Sequence, residues 1–372
     1  MLRTLLLAVL VLAAAPAAAE SCDDISAKCT APLPTGITMA YLEIGPANGP
    51  TVVLVHGLTD SLRSWSPAMR ALHRIDPRLH ILAVDQRGHG DSSMPDGADC
   101  PAHPETCFRM ADFAADLAAF LKAKKIAKAS FAGHSLGSFV VQELALSHPE
   151  LVERAVLVAT ATRLTTLAPI PGAPPEEPLV GPWRKALEAN GIRYPDGAWS
   201  LTPRDADPSA AATIAGAWDA DPVADQSIVL GIAPETAHVR LGTWIGATRG
   251  ILAADTTDRL ATLKVPTLVL WGCQDSLFLA ADQDRLKAAL RRASPRLAIF
   301  WKQYGTKPLP PSGAQVDDIG HNVQWDAPDQ VAADIDSFLR QGKPTTDRVS
   351  FDPETRQIVV KRGEAEEMRL RP

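Results

Sequence analysis

The sequence lacks a strong excess of charge of either sign. Its 372 residues carry a formal net charge of −6, with 22% charged and 46% hydrophobic side chains, which is an ordinary balance for a folded soluble protein. A mild negative charge does not suit a surface that must neutralise phosphates, so we expect no nucleic-acid partner. The one lysine-rich stretch, Leu121 to Lys128, coincides with the predicted end of a helix, where positive side chains complement the helix dipole.

Apolar runs long enough to cross a membrane are also absent. Arg3 precedes an apolar run from Leu5 to Ala15, and the small residues Ala17 to Ala19 follow it. This order is typical of a secretory signal peptide, so we expect residues 1–19 to be removed and the mature chain, starting near Glu20, to be periplasmic or secreted. Because the run is shorter than the roughly 20 residues of a membrane span, we expect no stable membrane span.

Cysteine is sparse, and the five cysteines do not form a zinc-binding pattern. Neither close pair, Cys22 with Cys29 or Cys100 with Cys107, has C-x-x-C spacing, and we expect no metal and no other cofactor. In the oxidising compartment that the leader implies, the two pairs predict two local disulfides, whereas Cys273 stands alone. Five reduced thiols are the alternative if the leader is not a signal peptide.

Short, nearly continuous apolar runs recur along the chain, as is typical of strands buried on both faces of a parallel sheet. They are Thr51 to His56, Leu79 to Asp85, Ala129 to His134, Arg154 to Ala159, Pro266 to Gly272 and Leu297 to Trp301. Helical patterns lie at Met110 to Ala123, Ser138 to Ser147 and Pro328 to Arg340. The alternation predicts an α/β fold with a mostly parallel sheet.

One segment interrupts this alternation and divides the predicted core. Residues 161–250 hold eleven of the 31 prolines and four of the eight tryptophans, Trp183, Trp199, Trp218 and Trp244. A proline-rich start is typical of a crossing linker, and the remainder predicts a small, mainly helical insertion. The predicted core then comprises residues 20–160 and 251–342. In residues 343–372 we expect a hairpin, at Val349 to Lys361, followed by a charged tail.

A serine flanked by glycines follows one of the predicted strands. In the stretch Gly133-His134-Ser135-Leu136-Gly137 the strand ends and a helix begins, which is the context that makes a G-x-S-x-G pattern informative. At so tight a turn, side chains beside the serine would collide with the adjacent strand and helix, and glycines relieve this. The pattern indicates a nucleophilic Ser135, the alternative being a glycine-flanked turn with an incidental serine.

A nucleophilic serine needs a base and an acid that orients it, which follow in this order after the serine. Of the nine histidines, only His321 lies after the late strand that should deliver the acid. For the acid we choose Asp275, just past the strand that ends at Gly272, since it would lie at the same sheet edge as Ser135. Asp275 is also a candidate helix N-cap, and the two roles are compatible.

Other carboxylates are less suitable as the acid. Asp282 and Asp284 are predicted to lie on the following helix, and Asp317 and Asp318 are too close to His321 in sequence to turn its ring freely. The loop after Ala159 offers no carboxylate.

The oxyanion of an acyl-transfer intermediate needs two N–H donors. The turn itself supplies the backbone N–H of Leu136. The loop after the first core strand, His56-Gly57-Leu58-Thr59, should supply the second donor, for which we choose the N–H of Leu58. We expect His56 to brace this loop rather than to transfer protons.

Taken in order, these motifs resemble the α/β-hydrolase superfamily, in particular its capped serine-nucleophile branch of esterases, lipases and aminopeptidases. The resemblance covers roughly Gly36 to Arg340 and includes the stretch Asp85-Gln86-Arg87-Gly88-His89-Gly90-Asp91-Ser92. It implies a Ser-His-Asp triad, a scaffold role for Asp85 and Arg87, and a cap over the active site formed by residues 161–250. The proline-rich excursion from Thr306 to Val316 departs from the family pattern and would loosen His321.

The resemblance implies a serine hydrolase, and the predicted leader implies that it is exported. A small-molecule ester or lactone suits this machinery because its leaving group is good, and the sequence does not indicate an oligomeric state. A proline-type aminopeptidase shares every motif, but it needs acidic side chains in the cap, for which Glu176 and Glu177 are candidates. A carbon-carbon bond hydrolase and a non-catalytic binding module remain further alternatives. The tryptophans of the insertion are expected either to line an apolar acyl pocket or to form a core of the insertion itself.

Overall fold

The computed structural model describes residues 27–165, 167, 170–217, 223–310, 313–365 and 368–370. The predicted signal peptide, Cys22 and Trp218 lie outside the described residues.

An eight-stranded sheet forms the centre of the described chain. Its spatial order is β1-β2-β4-β3-β5-β6-β7-β8. The pairs β1 with β2 and β2 with β4 are antiparallel, and all other pairs are parallel, so the predicted mostly parallel sheet is confirmed. The strands are β1 Cys29–Pro32, β2 Thr38–Ile44, β3 Thr51–Val55, β4 His80–Val84, β5 Ala129–His134, β6 Val152–Val158, β7 Thr267–Gly272 and β8 Ile299–Tyr304.

Helices cover both faces of this sheet. Because successive side chains of a strand point to opposite faces, β3 places Val53 and Val55 in one apolar cluster and Val52 and Leu54 in the other. The first cluster includes side chains of α2, α3 and α9, and the second includes side chains of α1 and α11. The helices outside the insertion are α1 Ser66–Ile75, α2 Met110–Ala123, α3 Leu136–Ser147, α9 Ala280–Leu290, α10 Val323–Asp326 and α11 Pro328–Gln341.

The described residues between β6 and β7 include five α-helices, and we call these helices the cap. They are α4 Glu177–Ala189, α5 Pro203–Ala206, α6 Ala210–Ala217, α7 Gln226–Thr236 and α8 Leu241–Leu252. The cap has an apolar cluster of its own, to which Trp183 and Trp244 belong. Its last helix, α8, also contributes Ala247 and Ile251 to the main core, and it ends two residues beyond the predicted boundary at 250.

A disulfide loop lies against α8. Cys100 and Cys107 form the predicted disulfide. A Cβ atom added to Gly250 of α8 would lie 2.1 Å from the backbone oxygen of Phe108, so the helix and the loop approach too closely for any larger residue. Cys29 is disulfide-bonded as well, and Cys273 is free and buried.

The chain closes with a hairpin and a tail that both contact the core. The antiparallel strands β9 Arg348–Asp352 and β10 Gln357–Lys361 form the hairpin that the sequence predicts. In the tail, Leu370 donates its backbone N–H to the oxygen of Ile299, and Phe300 pairs with Arg369, which covers the edge of β8. None of the described helices combines the length and the apolar character that crossing a membrane requires.

Candidate active site

Ser135 occupies the sharp turn between β5 and α3. It has φ of 51° and ψ of −119°, a conformation that costs a residue with a side chain on the order of 1–3 kcal/mol. A Cβ atom on Gly133 would lie 2.2 Å from the oxygen of Gly137, and one on Gly137 would lie 2.4 Å from the oxygens of Val55 and His56. Both glycines are therefore required for the serine to reach this position, as the steric argument from the sequence predicts.

Asp275 and His321 meet at the same edge of the sheet. The Nδ1 atom of His321 lies 3.0 Å from Oδ1 of Asp275, whose side chain is fully buried. The same oxygen accepts the backbone N–H groups of Leu277 and Phe278, each at 2.9 Å. Asp275 therefore orders its own turn and binds the imidazole ring. It is not the helix N-cap considered from the sequence, because α9 begins only at Ala280 and its N-cap is Leu279.

The other carboxylates that were weighed for this position have partners elsewhere. Asp282 pairs with Arg285, Asp284 with Lys287 and Asp317 with Arg356. Asp318 accepts the backbone N–H groups of Thr306 and Lys307, at 2.8 and 2.9 Å. The described part of the excursion from Thr306 to Val316 is therefore anchored beside the acid turn, contrary to the expectation that it would loosen His321.

Ser135 and His321 face one cavity of about 410 Å³ beneath the cap. The ring of His321 packs against the rings of His134 and Phe278, with centroid distances of 5.0 and 5.5 Å. These two contacts limit the rotation of the ring. The serine, the imidazole and the carboxylate are thus brought to one site, although they come from three separate parts of the chain.

The loop after β3 runs directly beside Ser135. A Cβ atom on Gly57 would lie 3.3 Å from Cβ of Ser135, and Leu58 lines the cavity. Leu136 is the first residue of α3, and the N–H groups of a first helical turn have no partner within the helix. Both predicted oxyanion donors, the N–H groups of Leu58 and Leu136, therefore belong to segments that border the serine.

Two buried histidines hold this loop in place. His56 accepts the N–H of Gln86 on Nε2 at 3.0 Å, and His89 accepts the N–H of Thr59 on Nε2 at 3.1 Å. Burial lowers the pKa of His56 well below its usual value and that of His89 to about 4. Both rings are neutral near pH 7, which supports a bracing role for His56. The bracing role of His89 was not predicted, although His89 belongs to the D-x-R-G-H-G stretch.

Asp85 and Arg87 make structural ion pairs. Asp85 accepts hydrogen bonds from Nζ of Lys28 and from the backbone N–H of Leu62, each at 2.8 Å. Arg87 binds Asp116 through two nitrogens, at 2.6 and 2.8 Å. These contacts support the scaffold role that the resemblance implies for both residues.

The sequence left open whether the tryptophans of the insertion line a pocket or form a core, and two of them do both. Trp183 and Trp244 line the cavity and also pack edge to face in the apolar cluster of the cap, with a centroid distance of 4.8 Å. Trp199 instead packs against Phe108, with a centroid distance of 6.1 Å. Trp325 of α10, which was not predicted, also lines the cavity.

The two acidic candidates of the cap do not face the cavity. Glu176 is buried in an ion pair with Arg249 at 2.8 Å, and Glu177 pairs with Arg184 at 2.7 Å. Both carboxylates have structural partners and are not among the residues that line the cavity. Within the described ranges, no group of three or more His, Cys, Asp or Glu side chains is placed to hold a metal ion.

One acidic residue that sequence reasoning missed does line the cavity. Asp60 directly follows the loop His56-Gly57-Leu58-Thr59, which we call the oxyanion loop. Its side chain is buried, and Oδ1 accepts a hydrogen bond from the backbone N–H of Ser61 at 2.8 Å. Burial, reinforced by the nearby Glu235 and Asp85, raises the pKa of Asp60 to about 7. In the sequence it is one polar residue in a T-D-S turn, a pattern typical of solvated loops.

Comparison with known proteins identifies relatives of this chain. A family model described as alpha/beta hydrolase fold matches residues 50–328. RutD of Yersinia enterocolitica, named as a carbamate hydrolase, is 37% identical over 123 residues, which are 32% of this chain and 40% of RutD. The 2-(acetamidomethylene)succinate hydrolase of Mesorhizobium japonicum is 33% identical over 122 residues, 33% of this chain and 39% of that enzyme.

These curated relatives are matched over only about two fifths of their own length. A solved structure, the enol-lactonase from Burkholderia xenovorans, is similar over 84% of this chain and 99% of its own, with a TM-score of 0.56 and 24% identity. At that identity the likeness concerns the fold alone.

Proposed function

The chain belongs to the alpha/beta hydrolase fold family, and from this premise we propose that it is an exported serine hydrolase that cleaves a carboxylic ester or lactone. The observation that carries the proposal is the hydrogen bond between His321 and Asp275 at a cavity that also contains Ser135. A nucleophile, a base and a group that orients the base are the three parts that acyl transfer requires.

The proposed reaction begins with attack of Ser135 Oγ on the carbonyl carbon, while His321 Nε2 accepts the hydroxyl proton. The carbonyl oxygen becomes an oxyanion, and the N–H groups of Leu58 and Leu136 bind it. Collapse of this intermediate breaks the bond to the leaving alkoxide, which takes the proton from His321. Water then attacks the acyl-enzyme, His321 accepts a proton from it, and the acid leaves as Ser135 regains its hydrogen.

The residue at the turn favours this chemistry over that of other relatives. Epoxide hydrolases are among the proteins with similar sequences, but relatives of that kind use an aspartate as the nucleophile, and this chain has Ser135. The aminopeptidase alternative is weakened because Glu176 and Glu177 are occupied by Arg249 and Arg184. Esters and lactones have good leaving groups, which suits a serine and histidine pair without a metal.

A fluorophosphonate probe tests the proposal, because it reacts with an activated serine and not with a binding protein. We expect covalent labelling at Ser135, located by peptide mass spectrometry, and none in Ser135→Ala. Ser276→Ala is a matched control, since Ser276 lines the same cavity and should leave labelling intact. Full labelling of Ser135→Ala would refute the assignment.

Export is part of the proposal and has its own test. The disulfide of Cys100 and Cys107 supports it, because such bonds persist in oxidising compartments. We expect the intact mass of the protein from a periplasmic or secreted fraction to match a chain that begins near Glu20. A cytosolic chain that retains Met1 would contradict export without affecting the hydrolase proposal.

A further inference from the structure

The wall of the cavity carries one carboxyl group that the proposed reaction does not use. Asp60 lies between the oxyanion loop and the 3-10 turn Leu62–Trp65, and it lines the same cavity as Ser135 and His321. Its side chain contacts the backbone N–H of Ser61 at 2.8 Å and the hydroxyl of Ser64. These contacts are neutral donors, so they leave the charge of an ionised Asp60 without a cation.

The acidic neighbours of Asp60, by contrast, each have a cation. Glu235 of the cap accepts hydrogen bonds from Nε of Arg63 at 2.6 Å and from the hydroxyl of Ser61 at 2.5 Å. Asp85 accepts Nζ of Lys28 at 2.8 Å. Asp60 itself makes no ion pair within the described ranges. A buried carboxyl without a counter-charge, next to a reaction centre, indicates a functional rather than a structural use.

The cavity wall has few residues of a charged type. Among the described residues that line it, Asp60 has the only carboxyl group, and there is no lysine or arginine side chain. Burial lowers the pKa of His134, which also lines the cavity, well below its usual value, so that ring is neutral near pH 7. Most other lining side chains are apolar, including Leu58, Trp183 and Trp244. A carboxylate on a substrate would therefore meet no lysine or arginine among the described lining residues.

We propose that Asp60 is a specificity-determining residue that binds a protonated amine of the substrate, so that the enzyme favours ammonium-bearing esters and rejects carboxylate-bearing ones. This inference rests on the proposed ester hydrolase function. The substrate ammonium would take the place of the missing cation, and its hydrogen bond to an ionised carboxyl is of the strong, charge-assisted kind. The surrounding apolar side chains would hold the hydrocarbon part.

Two pairs of esters with matched shapes test the inference. Dimethylaminoethyl butyrate is compared with 3-methylbutyl butyrate, and ethyl 4-(dimethylamino)butanoate with ethyl 5-methylhexanoate, so that either side of the ester can reach Asp60.

The readout is the ratio of kcat/KM for the ammonium ester to that for its neutral isostere. For at least one pair, we expect Asp60→Asn to lower this ratio about tenfold or more, mainly through KM. Asp284→Asn, which removes a negative charge from the surface of α9, is the matched control and should leave the ratio unchanged.

The wild-type chain provides a second readout that does not depend on a variant. The pKa of unliganded Asp60 is about 7, so below that pH the ammonium ester must displace a proton to bind. We expect the ratio to rise from about pH 5.5 to about pH 8, with the amine still protonated. The pH dependence of the reaction steps that the two esters share cancels in the ratio. A ratio that is flat with pH and unchanged in Asp60→Asn would overturn the inference.

The remaining outcomes separate the inference from the proposed function. If a fluorophosphonate labels Ser135 but the chain cleaves none of the four esters, the inference is overturned and the nucleophile assignment stands. If Ser135 is not labelled, the proposed function fails, and the inference fails with it.

Discussion

His321 and Asp275 are 46 positions apart in the chain, yet Nδ1 of the histidine lies 3.0 Å from Oδ1 of the aspartate. The two residues meet because they follow β7 and β8, two neighbouring parallel strands whose carboxyl ends share one edge of the sheet. Because this contact uses Nδ1, Nε2 is the nitrogen that accepts the proton of Ser135 in the proposed reaction.

Asp275→Asn tests the orienting role of the carboxylate. The amide oxygen should still accept the N–H groups of Leu277 and Phe278, so the turn should keep its structure. The amide cannot stabilise an imidazolium, and we expect kcat on an activated butyrate ester to fall by about 10³- to 10⁴-fold. Thermal melting checks that the fold is intact. An unchanged rate would move the acid to another residue.

Gly137→Ala tests the steric argument for the turn at Ser135. The new Cβ would lie 2.4 Å from two backbone oxygens of the neighbouring strand region, Val55 and His56. We expect a loss of several kcal/mol in the free energy of unfolding, as for other overpacked core sites, or failure to fold. Gly216→Ala is the matched control, because a Cβ there meets nothing within 4 Å, and alanine in a helix should stabilise by roughly 0.5–1 kcal/mol. Equal urea midpoints for the two variants would refute the argument.

Much of the parallel sheet could be predicted because buried strands have a local signature. Ala129–His134 and Met110–Ala123 have the predicted bounds as β5 and α2, since continuous apolar runs and helical periodicity are visible within a short window. The strands β1 and β2 were not predicted. They form the antiparallel edge of the sheet. The exposed side chains of β1 leave it without an apolar run, whereas β2 has a buried apolar run of only four residues, Met39 to Leu42, which was overlooked.

The three residues of the proposed triad could be selected from the sequence because their order along the chain follows the order of the strands. The roles of Asp60 and His89 could not be predicted, because they depend on contacts made in three dimensions. His89 binds the N–H of Thr59, 30 positions away. The unusual property of Asp60 is its burial beneath the cap without a cation, and nothing in the stretch Thr59-Asp60-Ser61 signals that the loop is covered.

Removing the disulfide by Cys100→Ser with Cys107→Ser tests its structural contribution. The bond closes a loop with a sequence separation of 7, for which the chain-entropy estimate is about 2.5 kcal/mol of folding stability. Arg249 of α8 binds Glu105 within this loop and Glu176, which directly precedes α4, both at 2.8 Å. We therefore expect the double variant to lose stability in urea unfolding and to lose catalytic rate as the cap loosens. Unaltered kcat with lowered stability would limit the role of the loop to stability.

Asp60→Asn should also change how folding stability depends on pH, independently of any substrate. The pKa of Asp60 is raised to about 7 in the folded chain, above its ordinary value of 3.8. Between these two values the folded state binds more protons than the unfolded state, so this group lowers stability progressively as pH rises from about 4 to about 7. Asparagine resembles the neutral acid and removes that penalty. We expect the urea midpoint of the variant to match the wild type near pH 4 and to exceed it near pH 8.

The direction of this difference separates a carboxyl kept for binding from one kept for structure. If Asp60 stabilised the fold through an unrecognised cation, its pKa would be lowered and the variant would be less stable above pH 4. Asp284→Asn provides the comparison, since its carboxylate is on the surface and pairs with Lys287 at 2.9 Å. It should leave the midpoint nearly unchanged at both pH values. A wild-type chain that is more stable than Asp60→Asn near pH 8 would mean that the carboxyl has a cation in the folded protein, and the ammonium of a substrate would then have no vacant charge to neutralise.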